Sequence, residues 1–120
     1  MTADIPAQML ARYRATATQR QQRLDVRFTA AWAVAHMGAA LLKDRYGVDD
    51  VWVFGSLLSR ARFYERSDID LAVKQIEGRD YFRAVSALLD LTPEFSFDLV
   101  EIDFAPSALR DAIMHEGVQL

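Results

Sequence analysis

The chain has 120 residues, 52% hydrophobic and 26% charged, with 14 basic and 17 acidic side chains for a formal net charge of −3. That is room for one soluble domain with a real core, and it lacks the basic excess of a sequence-independent nucleic-acid binder. Cysteine is absent, which excludes disulfides, thiolate catalysis and cysteine-ligated zinc, and His36 and His115 alone do not make a zinc site. No apolar run reaches the ~18 residues of a membrane span, and the opening MTADIPAQML is unlike a secretory signal. The expectation is a cytoplasmic protein with no membrane partner and no direct nucleic-acid binding.

Residues 1–6 read as a lead-in in which Asp4 and Pro6 suit a helix start. From Ala7 to Tyr46 there is no proline and the only glycine is Gly38. Leu24, Phe28, Trp32, Ala35, Ala39, Leu42 and Tyr46 step by three or four, the mark of one apolar helix stripe, and Gly47 suits the C-cap. A single helix of this length would span ~60 Å, against a radius of gyration of roughly 13–14 Å for a compact chain. Two outcomes are open: a break around the polar run Ala17 to Arg23, or a first half that projects. The favoured reading is a core helix from about Leu24 to Tyr46 preceded by a more exposed helix. Met9, Leu10 and Tyr13 on that exposed helix then either meet a partner or fold back on the domain.

The remainder alternates. VWVFG (Val51 to Gly55) reads as a buried strand and IDLAV (Ile69 to Val73) as a second. Gly78 and Asp80 open an amphipathic helix through Leu91, with Phe82, Val85, Leu88 and Leu89 inward. FSFDLVEI (Phe95 to Ile102) is a third strand, and Pro106 starts a last helix, Ser107 to His115. This order predicts an α/β domain, a small mixed sheet covered by helices. The chain reads as one domain, 1–120, with a long helical N-terminal segment, 1–46, and a catalytic core, 47–120.

The chemistry concentrates between Val51 and Val73. Asp68 and Asp70 alternate with Ile69 and Leu71, so both carboxylates face one side of the strand, ~6.7 Å apart. Two like charges there are costly unless neutralised, and carboxylates suit magnesium, which also holds phosphate oxygens. Solvated aspartates paired with Arg60, Arg62 or Arg66 are the plainer alternative. Gly55 lets the backbone turn tightly after a strand, and the amides and Ser56 hydroxyl beyond it can hold phosphate; an ordinary N-cap serine is the alternative. No G-K-[ST] follows, so this is not a Walker P-loop, and Leu58 replaces the second glycine of a nucleophile elbow.

Strand, Gly-Ser, short connection, then a strand bearing D-x-D: with Phe54-Gly55-Ser56, the arginines of Ser59-Arg60-Ala61-Arg62, and Ser67-Asp68-Ile69-Asp70-Leu71, the chain resembles the minimal nucleotidyltransferase (MNT) family of the DNA polymerase β-like nucleotidyltransferase superfamily. The family pattern has one residue fewer than the eleven that separate Ser56 from Asp68 here, and Ala61 or Phe63 stands near the place of a common second glycine. The resemblance implies a third carboxylate from a neighbouring strand, for which Asp98 is the match; Glu101 and Asp103 are lesser candidates. It implies Mg2+, two ions, held by Asp68, Asp70 and Asp98, with ATP as substrate. Gly55, Ser56, Arg60, Arg62 and Arg66 are then the nucleotide- and phosphate-binding set. Phe63 and Tyr64 could stack on a base, although core or rim packing is the favoured explanation.

Such proteins are typically paired with HEPN ribonucleases as antitoxin and toxin. The implied function is an antitoxin that transfers AMP from ATP to a tyrosine of its HEPN-type toxin, with the partner supplying the acceptor site. A binding-only antitoxin and a small-molecule, aminoglycoside-type nucleotidyltransferase are the alternatives.

Overall fold

The computed structural model describes residues 5–120. Asp4 and the rest of the lead-in up to it lie outside the described residues. Pro6 stands just before the first helix, α1, which runs unbroken from Ala7 to Tyr46. The expected break around Ala17 to Arg23 is not there. Those residues are Ala, Thr, Gln and Arg, and polar is not helix-breaking: Gln, Arg and Ala are good helix formers. Thr16 and Thr18 donate their hydroxyls to the carbonyls of Arg12 and Arg14 one turn back. The first half of α1 therefore projects. From Ile5 to Arg23 only Leu10 is even partly covered, and the molecule measures 65 × 29 × 20 Å. Gly47 ends the helix in the left-handed conformation (φ 64°), its N–H returning to the Leu42 carbonyl.

The second half of α1 carries the core. Ala31, Ala35, Gly38, Ala39, Leu41 and Leu42 are buried, and the small side chains let the helix lie close to the sheet. A Cβ on Gly38 would press on Phe97, Leu88 and Leu71. Arg27 ties the helix to two loops, donating from Nε to the Glu65 carbonyl (3.1 Å) and from Nη2 to the Glu94 carbonyl (2.7 Å), with its guanidinium 4.2 Å from the Phe95 ring centre. Trp32 donates its indole N–H to the Leu57 carbonyl at 3.1 Å.

The strands are β1 (Val51–Phe54), β2 (Ile69–Val73), β3 (Phe97–Glu101) and a two-residue β4 (Val118–Gln119). Their order is β3-β2-β1-β4, antiparallel across β1 and its two neighbours and parallel across β2 and β3. The helix α2 (Gly78–Leu89) makes the parallel crossover, and α3 (Ser107–Glu116) precedes β4. The mixed α/β architecture is the expected one. Strand β4 was not expected, because two residues carry no readable period. Strand β3 is shorter than expected: Phe95 is buried just before it, and Ile102 opens a 3-10 turn, Ile102–Phe104.

The inward face of α2 is also corrected. Phe82 is 76% exposed and Leu89 is exposed too. The packed positions are Tyr81, Ala84, Val85 and Leu88, spaced as one helical face. Phe82 instead meets the edge of Tyr81 on the outside.

The two sheet faces have different covers. Val51, Val53, Ile69, Leu71, Val73 and Leu99 pack with α1 and α2. On the opposite face Trp52, Ala72 and Val100 pack with Ile102, Leu109 and Ile113 beneath α3. Trp52, Ala72 and Val100 form one cross-strand row; the next row is Phe54, Asp70 and Asp98. The acids thus share the α3 face, one row beyond its main packing row. Asp70 is half-buried and Asp98 exposed there.

Candidate active site

Three backbone features build the acidic row. The first is the end of β1, where Gly55 turns with φ 74° into a 3-10 turn, Gly55–Leu58. A Cβ on Gly55 would run into the Asp70 carboxylate, so glycine is needed both for the turn and for the close approach. The second is the start of β2. Ser67 is buried; its Oγ accepts the Tyr64 N–H at 2.9 Å while its own N–H reaches the Tyr64 carbonyl at 3.0 Å. This tight loop delivers Asp68 and, two residues on, Asp70. The third is the parallel register of β2 and β3, which sets Asp70 directly beside Asp98.

These carboxylates lack a basic counterpart: among the described residues no Lys or Arg lies within ion-pair distance of Asp68, Asp70 or Asp98. Burial, then the charge of Asp98, then that of Asp68 push the Asp70 carboxyl up from 3.8 to about 6. Tyr81 is affected from the side: burial first, then Asp98 and Glu101, raises its phenol above the usual value. Its hydroxyl donates to the Leu99 carbonyl at 2.6 Å, on β3.

The row suits a hard divalent cation in its chemistry. The donors are carboxylate oxygens, and the repulsion that lifts Asp70 is the kind a cation relieves. As the side chains stand, however, no three acidic or histidine groups among the described residues converge closely enough to enclose a metal ion. Asp70 and Asp98 are adjacent, while Asp68 is exposed ahead of the strand.

The remaining predicted residues divide. Ser56 is half-buried in the turn after Gly55. Arg60 is engaged elsewhere: it donates from Nε to Asp25 at 2.6 Å and from Nη2 to the Gln21 carbonyl at 3.3 Å, both on α1. Arg62 and Arg66 are exposed, and Arg66 borders a depression with Arg20, Arg23 and Tyr64 at the root of the projecting helix. Phe63 is buried edge-to-face on Phe28, so it is a packing residue and not a base platform. Tyr64 is exposed. His36 tilts against Trp32, and His115 Nδ1 sits 2.8 Å from the Asp111 carbonyl near the end of α3. Neither joins the acids. Sequence reading missed Tyr81 and Phe104, which border the groove beside Asp98; nothing in their local sequence marks them.

Comparison with known proteins bears on the family and the fold. A profile of the family described as "Polymerase beta, Nucleotidyltransferase" matches residues 39–120. Among curated proteins, none matches the chain. Among solved structures, one described as "toxin-antitoxin with AMP-PNP" superposes with a TM-score of 0.60 at 22% identity, covering 71% of this chain and 70% of that one. Another, "toxin-antitoxin MntA-HepT", superposes with a TM-score of 0.55 at 21% identity, covering 73% and 69%. At these identities the likeness is one of fold. The family match takes in the turn, the D-x-D strand and the neighbouring Asp98, and on it the chain belongs to the polymerase beta nucleotidyltransferase family and is a nucleotidyltransferase.

Proposed function

We propose that this protein is the antitoxin of a HEPN/MNT toxin–antitoxin pair. It acts as a Mg2+-dependent protein adenylyltransferase, moving AMP from ATP to a tyrosine hydroxyl of its partner HEPN ribonuclease and inactivating it. The observation that carries the reading is the open Asp70–Asp98 pair beside Gly55, on a nucleotidyltransferase fold. The fold neighbours add support, since they are described as toxin–antitoxin structures, one of them with AMP-PNP. No described helix is long and apolar enough to cross a membrane; the cytoplasm is the proposed location.

In this reading Gly55 and Ser56, with the turn amides, hold the β- and γ-phosphates. Asp68, Asp70 and Asp98 are the residues that would hold Mg2+, which would supply charge neutralisation at the phosphates and lower the pKa of the attacking hydroxyl. Asp98 lies on the side away from Gly55 and takes the proton of the attacking phenol. The phenolic oxygen forms a bond to the α-phosphorus, the bond from that phosphorus to the bridging oxygen of the β-phosphate breaks, and pyrophosphate leaves toward Ser56. Catalysis is mainly positioning and electrostatics. Arg62 and Arg66 are free to meet the triphosphate. Arg60 joins them only by leaving Asp25.

The test is transfer from α-phosphate-labelled ATP with Mg2+ to the product of the adjacent gene, beside Asp68→Ala/Asp70→Ala. Label on a partner tyrosine, absent with the double variant, is the expected result. A complex that silences the partner equally well with both versions and carries no label would replace this reading with inhibition by masking. Label on small aminoglycosides and on no protein would move the acceptor to that class.

A further inference from the structure

Beside Asp98, at the free edge of β3, lies an open groove of about 370 Å³ whose walls include Tyr81, Glu101, Phe104, Pro106 and Leu109. Phe104 is 84% exposed, more than any other large apolar side chain among the described residues. A single exposed apolar ring is ordinary by itself; what sets this one apart is where it stands and how it is held. Its backbone is firmly held. Arg110 donates to the carbonyls of Ile102 (3.2 Å), Asp103 (3.3 Å) and Ala105 (3.1 Å), the residues around Phe104, and the Ala105 N–H closes the turn onto Ile102. The opposite wall is held by the Tyr81 hydroxyl on the Leu99 carbonyl. A bare aromatic ring on a pinned turn, next to a carboxylate of the acidic row, has the form of a preorganised contact for a ligand.

We propose that this groove is the acceptor subsite, and that Phe104 packs on the aromatic ring of the tyrosine that receives AMP. The proposal rests on the adenylyl-transfer reading above and adds where the acceptor enters and what recognises it. The direction follows from in-line displacement, in which attacking and leaving oxygens lie on opposite sides of the α-phosphorus. Gly55 and Ser56 end β1 on one side of Asp70; Asp98 lies on the other, on β3. A pyrophosphate leaving toward Ser56 puts the attacker on the β3 side, where the groove opens. The groove chemistry fits a phenol: Phe104, Pro106 and Leu109 accept an apolar ring, and Asp98 lines the end of the groove toward which its hydroxyl would point. A sugar hydroxyl would bring a polar surface against the same apolar rim.

The experiment compares wild type, Phe104→Ala, Phe104→Tyr and, as an exposed aromatic outside the groove, Phe82→Ala. Each is assayed with labelled ATP and Mg2+ against the partner toxin and against N-acetyl-tyrosinamide. The expected result for Phe104→Ala is a KM for both acceptors raised roughly tenfold, the order of one lost aromatic contact, with the KM for ATP within about twofold. Phe104→Tyr restores acceptor KM and Phe82→Ala leaves it unchanged. An ATP KM raised as much as the acceptor KM would make Phe104 a base platform and overturn the proposal, as would no change in either. If wild type labels no tyrosine at all, the adenylyl-transfer reading falls, and this inference with it.

Discussion

Asp70 and Asp98 are direct register partners on parallel strands, and the charge of Asp98 bears on Asp70 across β2 and β3. Burial of Asp70, with the charge of Asp98 and then that of Asp68 added to it, raises that carboxyl to about 6. The site thus holds a stability cost, a common arrangement where function and stability compete.

Replacing Asp70 by Asn removes that cost. The native carboxyl binds its proton more readily than the unfolded one, whose ordinary value is 3.8. Stability contributed by this group is therefore lost as pH rises from about 4 through about 6. Asp70→Asn is expected to stabilise the metal-free protein at pH 8 by ~1–3 kcal/mol after solvent screening, and by nothing at pH 3. Transfer activity is abolished. Urea melts at the two pH values read the difference.

Asp98→Asn tests the coupling by itself. With its nearest charged neighbour gone, Asp70 titrates below 6 while burial still holds it above 3.8. Asp68→Asn moves it less, since that charge is the smaller of the two contributions. Carboxyl carbon NMR titration of the metal-free variants gives the order directly. Added Mg2+ lowers the wild-type value if the row binds the ion.

Gly55→Ala adds a side chain at φ 74° and against the Asp70 carboxylate. The left-handed backbone alone costs ~1–2 kcal/mol. Displacement of Asp70 adds a loss of transfer activity larger than the loss of stability explains. Thermal melts and single-turnover rates at a temperature where the variant is folded separate the two effects.

Arg27→Ala removes two donations to loop carbonyls and a stacked cation on Phe95. A destabilisation of ~2–3 kcal/mol is expected. Arg27→Lys recovers only part of it, because an ammonium does not reproduce the planar fork. Arg60→Ala, which breaks a surface ion pair with Asp25, costs under ~1 kcal/mol. If Arg60 stays on α1 during catalysis, Asp25→Ala and Arg60→Ala leave the ATP KM alike.

Replacing the native start of the chain so that it begins at Gln21 removes, among the described residues, only Ile5, Pro6 and the part of α1 that lies beyond the body's core. The unfolding midpoint of the body is expected to stay within the equivalent of ~0.5 kcal/mol, as for surface changes remote from packing. Loss of partner binding in the same variant would identify the projecting half as an interface.

The elements with strong periods were legible in advance. The α1 stripe from Leu24 to Tyr46 packs as its spacing implied, and β2 has the predicted bounds. Gly-Ser followed by D-x-D pointed to Gly55 and Asp70, but the strand alternation expected of both aspartates reaches only Asp70, because β2 begins at Ile69 and Asp68 stands ahead of it. Local sequence was weaker where a residue's neighbours come from elsewhere in the chain. Phe82 and Leu89 look like core on a helical wheel, yet the phase that packs is set by where β3 and α1 lie. Phe63 packs as favoured, but that Phe28 from α1 is what covers it is not readable from its own loop.

The sequence by itself determined the α/β class, the acids and the glycine turn, since these depend on period and on residue chemistry. Only the tertiary structure decided that α1 runs straight out of the body, that Asp98 stands beside Asp70, that Arg60 is held by Asp25, and that Phe104 is bare beside the acids. Those facts depend on strand register and helix phase, which arise from contacts between residues far apart in the chain. No local run of residues encodes them.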